Sequence, residues 1–270
     1  MQNSFLITLL KRLYLFIIGN TKKFKRLGNE KNFISDVFAK NFYEAQEKFY
    51  KNPQLMIDFL KNHSIYDLWC FYTLSENGPH YRMPWGNNFM TKLPMDVWIY
   101  KTLIHKCRPN MIIEIGTQRG HSAKLLKELS QEFNTKIVTF DILKPSSDTL
   151  SKFQDLDIAF FNTDASSSIA LENVLSLKEK KNEIRALVID DGSHLEKDII
   201  SSFNLFKDLV PNGGFYIIED AFTNQILENK KFLSMNAITQ ILNSNKNFSN
   251  YAEYDDFLFS SSYMGVLQKN

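Results

Sequence analysis

The sequence predicts an α/β protein with a doubly wound, Rossmann-like parallel sheet, a C-terminal antiparallel hairpin and a helical N-terminal extension. Three observations carry this prediction. Short apolar runs alternate with amphipathic stretches from residue 94 onward, which is the pattern of βαβ units. A glycine-containing loop follows the first of these runs, and two later runs end in pairs of acids. We therefore divide the chain into an extension, 1–93, and an α/β domain, 94–270.

Apolar runs and helical periodicity define the elements of the predicted domain in chain order. The strands are expected at 111–115, 136–141, 158–161, 186–190 and 213–219. The helices are expected at 95–107, from the glycine loop to about 133, and at 169–180, 193–209 and 233–242. A hairpin of 257–259 with 263–267 adds an antiparallel strand. Upstream, 32–74 is predicted helical, and the irregular loop 78–86 either faces the substrate or bridges two parts of the fold.

Composition excludes several classes of partner. A formal net charge of +2 gives no reason to expect nucleic acid, and two distant cysteines imply no disulfide framework, so we expect a cytoplasmic protein. The apolar stretch within residues 5–26 is too short and too interrupted to span a bilayer and lacks the features of a signal peptide. We expect it to pack on its own domain or on a second subunit of a homo-oligomer. The alternative is a membrane-surface helix.

An acid within the first strand, Glu114, is followed by a loop with two glycines, Gly116 and Gly120. It lacks the middle glycine of the dinucleotide fingerprint and the lysine of a phosphate-binding loop. This spacing is instead the first motif of S-adenosylmethionine (SAM)-dependent methyltransferases. Asp141, at the end of the second strand, is placed to accept hydrogen bonds from ribose hydroxyls. Asp164, after the third strand, is placed to meet the adenine amino group, so the sequence predicts a SAM site.

Two apolar strands end in acid pairs, and neighbouring parallel strands lie only about 4.8 Å apart. Asp191, Glu219 and Asp220 are therefore expected to converge at one point. Three hard oxygen donors favour Mg²⁺ or Mn²⁺. A capping box at 193–196 predicts that a helix starts at once, with His194 in its first turn. The plainer alternatives are a helix-capping role for the first acid and surface charge for the other two.

From about Trp85 onward the chain resembles the metal-dependent sugar O-methyltransferases of macrolide biosynthesis, of the mycinamicin and macrocin type. It is also similar to the broader cephalosporin-hydroxylase/rhamnosyl O-methyltransferase group. The residues that carry the resemblance are those of 94–100, 112–117, 189–194 and 216–220. The resemblance implies that Asp191, Glu219 and Asp220 bind the metal and that His194 is the general base. The predicted helix N-terminus would keep this imidazole neutral.

These patterns predict a SAM- and metal-dependent O-methyltransferase acting on a sugar hydroxyl, with nucleotide-linked and surface-polysaccharide sugars as the acceptors considered. Two alternatives remain open at this stage. The same metal chelate would serve a catechol-like phenol or another small hydroxylated acceptor. The protein could also be a SAM-binding scaffold without catalysis, although a scaffold needs neither a base nor three acids.

Overall fold

The computed structural model describes part of the chain: residues 51, 52, 54, 83–85, 88–90, 92–178, 183–221, 233–251, 253, 260, 262 and 264–270. Leu93–Asn270 forms one compact unit, and Met1–Lys92 is assigned to another. The predictions for residues 5–26, for nearly all of 32–74, for most of loop 78–86 and for strand 257–259 lie outside the described residues. Within Met1–Lys92, β1 (Met83–Trp85) and β2 (Asn88–Met90) form an antiparallel pair.

The second unit is built on a seven-stranded sheet. Its strands are β3 (Met111–Ile115), β4 (Lys136–Phe140), β5 (Ile158–Phe161), β6 (Ala186–Asp190), β7 (Phe215–Ile218), β8 (Phe248–Asn250) and β9 (Val266–Lys269). Their order across the sheet is β5-β4-β3-β6-β7-β9-β8. The first five are parallel, and β9 pairs antiparallel with both β7 and β8. The order reverses beside β3, and ligands of open α/β sheets bind at such a point.

The described part of this unit has six helices, of which the second to the fifth connect the parallel strands; the first precedes β3, and the last lies between β7 and β8. They are α1 (Pro94–Cys107), α2 (His121–Leu129), α3 (Ser147–Asp155), α4 (Ser168–Ser176), α5 (Glu196–Phe206) and α6 (Leu233–Ser244). Short 3₁₀ turns follow α2 and α5, at Gln131–Phe133 and Lys207–Leu209. Within the described residues, no helix is long and apolar enough to cross a membrane.

The predicted α/β architecture is confirmed, with differences in detail. Helix α3, which buries only two of its nine side chains, was not predicted. The helix expected from residue 193 begins at Glu196. At the C-terminus, β9 adds the expected antiparallel strand, but its outer partner in the described structure is β8, a segment that the sequence analysis did not assign. Only three residues long and with one buried side chain, β8 gives too short a pattern to distinguish from a loop.

Side chains on the parallel strands alternate between two helix-covered faces of the sheet. On one face, Phe203 of α5 makes edge contacts with Tyr216 of β7 and Phe248 of β8, with ring centroids 5.1 and 5.0 Å apart. On the other face, Tyr100 of α1 reaches Glu219, which follows β7. Residues adjacent in sequence at a strand end therefore point toward different surroundings, and this alternation decides which acids can meet.

Candidate active site

The two acid pairs lie where β6 and β7 end, side by side in the sheet. The Asp191 N–H donates to the Ile115 carbonyl at 2.9 Å, and the Glu219 N–H donates to the Asp190 carbonyl at 2.9 Å. The backbone that follows three neighbouring strands is thus linked by hydrogen bonds. The carboxyl ends of these strands form one continuous edge, which is where the sequence analysis predicted the site.

Asp191, His194 and Asp220 come together at this edge. The His194 Nε2 lies 3.8 Å from the Asp191 Oδ1 and 3.7 Å from the Asp220 Oδ2. One ligand atom from each side chain lies within 4.8 Å of the other two. The side chains are 27, 22 and 31% exposed, so they are reachable from solvent. Two carboxylate oxygens with one imidazole nitrogen fit a divalent cation, and the carboxylates suit a hard one.

His194 lies in the loop before α5 and not in its first turn, so the predicted capping box is wrong. The Ser193 hydroxyl donates to the Asp198 Oδ2 at 2.6 Å and accepts from the Leu195 N–H at 3.3 Å. His194 itself has a left-handed backbone, with φ of +56°. This conformation turns the chain and points the imidazole back toward the acids. The predicted effect of a helix N-terminus on this imidazole is therefore wrong, because α5 begins two residues later, at Glu196.

Glu219 has different surroundings from Asp220. Its carboxylate is buried and accepts a hydrogen bond from the Tyr100 hydroxyl, and it is not part of the group of three. Glu219 points toward α1, and the left-handed turn at Asp220, with φ of +52°, directs the next carboxylate to His194. The predicted role of Glu219 as a metal ligand stays a prediction. The sequence analysis did not single out Tyr100 as a functional residue, although this tyrosine closes one of the motifs that carry the family resemblance.

Asp190 is also buried, on the opposite face of the sheet from Glu219. Its carboxylate accepts from the Ser202 hydroxyl at 2.6 Å, from the Tyr216 hydroxyl at 3.2 Å and from the Gly192 N–H at 3.4 Å. Burial raises the pKa of this carboxyl above its ordinary value. Burial and the nearby acid raise the pKa of Tyr216 well above 10. In each acid pair, the first acid is thus buried against a tyrosine and the second faces His194.

The predicted SAM loop is in close contact with the acid edge. Gly116 has φ of +100°, and a Cβ atom there would lie 2.1 Å from the Asp191 carbonyl oxygen. Only glycine lets the two loops approach this closely. Glu114 is buried beneath the loop, where its carboxylate accepts from the Thr139 hydroxyl at 2.5 Å. Thr139 in turn shares a hydrogen bond of 2.7 Å with Thr117, so the acid is tied to the loop from inside.

Gly120 ends the same loop immediately before α2. Its φ is +72°, and its N–H donates to the Thr117 carbonyl at 2.7 Å to close the turn. A Cβ atom there would lie 2.5 Å from the Phe153 ring and 2.7 Å from the Thr149 side chain. Both predicted loop glycines are therefore required by the packing of this protein. Their contacts with SAM stay predictions.

Asp141 is half-buried and held by two backbone groups. Its Oδ2 accepts from the Gln118 N–H of the glycine loop and its Oδ1 from the Leu143 N–H, each at 2.8 Å. Asp164 is exposed, and its Oδ1 accepts from the N–H and the hydroxyl of Ser166, each at 2.8 Å. The two acids follow β4 and β5, so they lie at the same edge of the sheet as Gly116. Their roles toward ribose and adenine stay predictions.

A parallel sheet with a glycine loop after its central strand, acids after the next two strands and an antiparallel strand beyond β7 is a Rossmann-like methyltransferase fold. The solved structure described as "cmcI-D160 Mg-SAM" has the same fold, with a TM-score of 0.53 and 18% identity over 73% of this chain and 79% of that one. The family model for rhamnosyl O-methyltransferase/CmcI matches residues 77–270. The chain belongs to this family.

Named relatives match shorter parts of the chain. Rhamnosyl O-methyltransferases of Mycobacterium bovis and Mycobacterium tuberculosis are 25% identical to this chain over 134 residues, which is 48% of this chain and 53% of theirs. The L-olivosyl-oleandolide 3-O-methyltransferase of Streptomyces antibioticus is 47% identical over 38 residues, 14% of this chain and 10% of that protein. The chain spans about half the length of the mycobacterial relatives it matches.

Proposed function

We propose that this protein is a SAM-dependent O-methyltransferase that requires Mg²⁺ or Mn²⁺ and methylates a sugar hydroxyl. The observation that carries the proposal is the group of Asp191, His194 and Asp220 at the same strand edge as the glycine loop, with Gly116 packed against Asp191. Family membership supports methyl transfer. The relatives are named as methyltransferases of rhamnosyl and L-olivosyl groups, and these names support a sugar acceptor.

The proposed SAM site spans the ends of β3, β4 and β5. SAM supplies an electrophilic methyl group on its sulfonium when bound. The positive φ angles of Gly116 and Gly120 shape the loop against which SAM would lie, and Asp141 would accept from the ribose hydroxyls. Asp164 would accept from the adenine amino group. Glu114 acts from beneath, because its hydrogen bond to Thr139 supports the loop.

The proposed cation site is formed by Asp191 and Asp220, with Glu219 as the further predicted ligand. A bound divalent cation supplies positive charge that lowers the pKa of a hydroxyl and fixes its orientation. These proposed ligands offer carboxylate oxygens, which favour Mg²⁺ or Mn²⁺. The Asp191 and Asp220 carboxylates lie close enough to repel each other, and a cation bound between them would offset this repulsion.

We assign the general base to His194. A sugar hydroxyl is a weak nucleophile, so its proton must leave as the oxygen attacks the methyl group. The imidazole lies within 4 Å of both acids and is partly exposed, so it can reach a hydroxyl placed there. His194 would take the proton at Nε2. The acids beside it would stabilise the imidazolium that results.

The acceptor class is tested with SAM labelled in its methyl group. Purified protein with Mg²⁺ is incubated with nucleotide-linked sugars, with surface-polysaccharide fragments and with a catechol. Label is expected in a sugar and not in the catechol. Label in the catechol alone would overturn the acceptor assignment. SAM binding without transfer to any acceptor would instead support the scaffold alternative.

Two further predictions belong to this proposal. We expect the protein to act in the cytoplasm, where SAM is available, and to form a homo-oligomer. Light scattering on the purified full chain measures the second directly. A mass equal to that of one chain, 31.5 kDa, at micromolar concentration would contradict it.

A further inference from the structure

The carboxylate of Glu219 is held by a tyrosine from a distant part of the chain. Glu219 is 2% exposed, and Tyr100, 119 residues earlier, is 1% exposed. The Tyr100 hydroxyl donates a hydrogen bond to the Glu219 Oε1. A buried carboxylate is costly unless it is hydrogen-bonded, so this contact strongly constrains where the side chain can lie.

The helix that carries Tyr100 is itself fixed by a buried acid one turn earlier. Asp96 is fully buried, and its Oδ2 accepts from the Leu93 N–H at 2.9 Å. Its Oδ1 accepts from the Ser260 hydroxyl at 2.8 Å. Residues four apart lie on the same helix face, so Asp96 and Tyr100 both face the interior. The helix therefore presents Tyr100 to Glu219 from a position secured at its N-terminal end.

The end of β7 connects this contact to the cation site. The Glu219 N–H donates to the Asp190 carbonyl at 2.9 Å, and the Ile218 N–H donates to the Gly265 carbonyl at 2.8 Å. The next residue, Asp220, has a left-handed backbone with φ of +52° and faces His194. A displacement of the Glu219 side chain would thus be passed to Asp220 through one peptide unit.

We propose that Tyr100 is a positioning residue for the cation site. Its hydroxyl fixes the Glu219 carboxylate, and with it the end of β7 from which Asp220 projects. This inference rests on the proposed function, because it concerns the same cation site. Metal ligands are commonly held by such hydrogen-bonded partners, whose loss lowers metal affinity by about 10–100-fold.

The test compares Tyr100→Phe with the wild type by calorimetric titration of Mg²⁺ and of SAM. We expect the Kd for Mg²⁺ to rise by about 10-fold or more. The Kd for SAM should be unchanged, because the glycine loop and Asp141 follow β3 and β4, which β6 separates from β7. Tyr251→Phe is the matched control. Its hydroxyl contacts Lys106 near the other end of α1, so both affinities should stay at the wild-type values.

A double-mutant cycle with Glu219→Gln separates positioning through Glu219 from a general effect on packing. If Tyr100 acts through the Glu219 carboxylate, Tyr100→Phe should cause little further loss of Mg²⁺ affinity in the Glu219→Gln background. Equal losses in both backgrounds would overturn the proposal. A Tyr100→Phe protein that binds Mg²⁺ as the wild type does would also overturn it. Absence of Mg²⁺ binding in the wild type would instead reject the proposed function.

If Tyr100→Phe does not fold, a fluorine label that keeps the tyrosine hydroxyl tests the proposal instead. With 3-fluorotyrosine in place of Tyr100, the fluorine NMR signal should shift on addition of Mg²⁺. The same label in place of Tyr251 should give a signal that does not shift. If neither signal responds while calorimetry shows Mg²⁺ binding, Tyr100 is not coupled to the cation site and the proposal is wrong.

Discussion

His194 lies between Asp191 and Asp220, so its imidazole is placed either to act as a base or to bind a cation. The proposed base role predicts that His194→Ala lowers the turnover number by about 10²–10⁴ and leaves the SAM affinity nearly unchanged. Steady-state kinetics at saturating Mg²⁺, with calorimetry for both ligands, measure this. Loss of Mg²⁺ binding, with turnover restored by excess metal, would make His194 a ligand and place the base elsewhere.

Asp141 tests the SAM site in the same way. Its carboxylate is already held by the N–H groups of Gln118 and Leu143, so it is oriented before any ligand binds. Asp141→Ala should weaken SAM binding by about 1.5–3 kcal/mol, the scale for losing hydrogen bonds to a charged group. The titration with SAM should be accompanied by a urea unfolding curve, because the loop also loses two contacts. Unchanged affinity would reject Asp141 as the ribose ligand.

The acid pairs show what a sequence can predict at the residue scale. The pairs were correctly placed at neighbouring strand ends, because an apolar run followed by acids fixes that much. The pattern could not tell Glu219 from Asp220, since the choice depends on which face each residue takes after the strand ends. Backbone turns with positive φ at His194 and Asp220 determine which acid faces the histidine. The presence of a histidine or an aspartate does not by itself predict such a turn.

At the scale of elements, the loops after β3 and β6 depend on one glycine. Gly116→Ala should lower the free energy of unfolding by more than about 2 kcal/mol, because it adds a clash of 2.1 Å with the Asp191 carbonyl to the cost of positive φ. Urea unfolding measures the change. The altered loop should also weaken the binding of both SAM and Mg²⁺, since the two sites share this contact.

Gly213→Ala is the matched control for the backbone effect. Gly213 has φ of +77°, and a Cβ atom there would meet nothing within 4 Å. Its substitution should cost only about 1–2 kcal/mol, the price of a left-handed alanine. If Gly116→Ala is no more destabilising than Gly213→Ala, the loops after β3 and β6 do not approach each other as closely as the structure shows.

Most helices and strands were predictable from periodicity, and the exceptions have local causes. The start of α5 was placed three residues too early because residues 193–196 match a capping box in sequence. In the structure the Ser193 hydroxyl binds Asp198 instead, five residues on. A local pattern cannot show whether the Ser193 hydroxyl accepts from the Glu196 N–H, as in a capping box, or donates to Asp198, because the outcome depends on the turn at His194.

At the scale of the whole molecule, the parallel sheet brings together residues that are far apart in the chain. The alternation of strands and helices predicted this topology, and through it the gathering of Gly116, Asp191 and Asp220 at one edge. The contact between Tyr100 and Glu219 could not be predicted in this way, since it depends on how α1 packs on the sheet. Tertiary packing of a buried polar pair leaves no periodic signal in the sequence.

The proposed dependence on a divalent cation is tested by measuring methyl transfer before and after removal of the cation. Protein dialysed against EDTA and returned to metal-free buffer should keep its fold and lose its transferase activity toward the sugar acceptor. Addition of Mg²⁺ or Mn²⁺ should restore the activity, and Asp191→Asn should remain inactive at the same metal concentration. Full activity after exhaustive EDTA treatment would contradict the proposal that methyl transfer requires a divalent cation bound at the site of Asp191, His194 and Asp220.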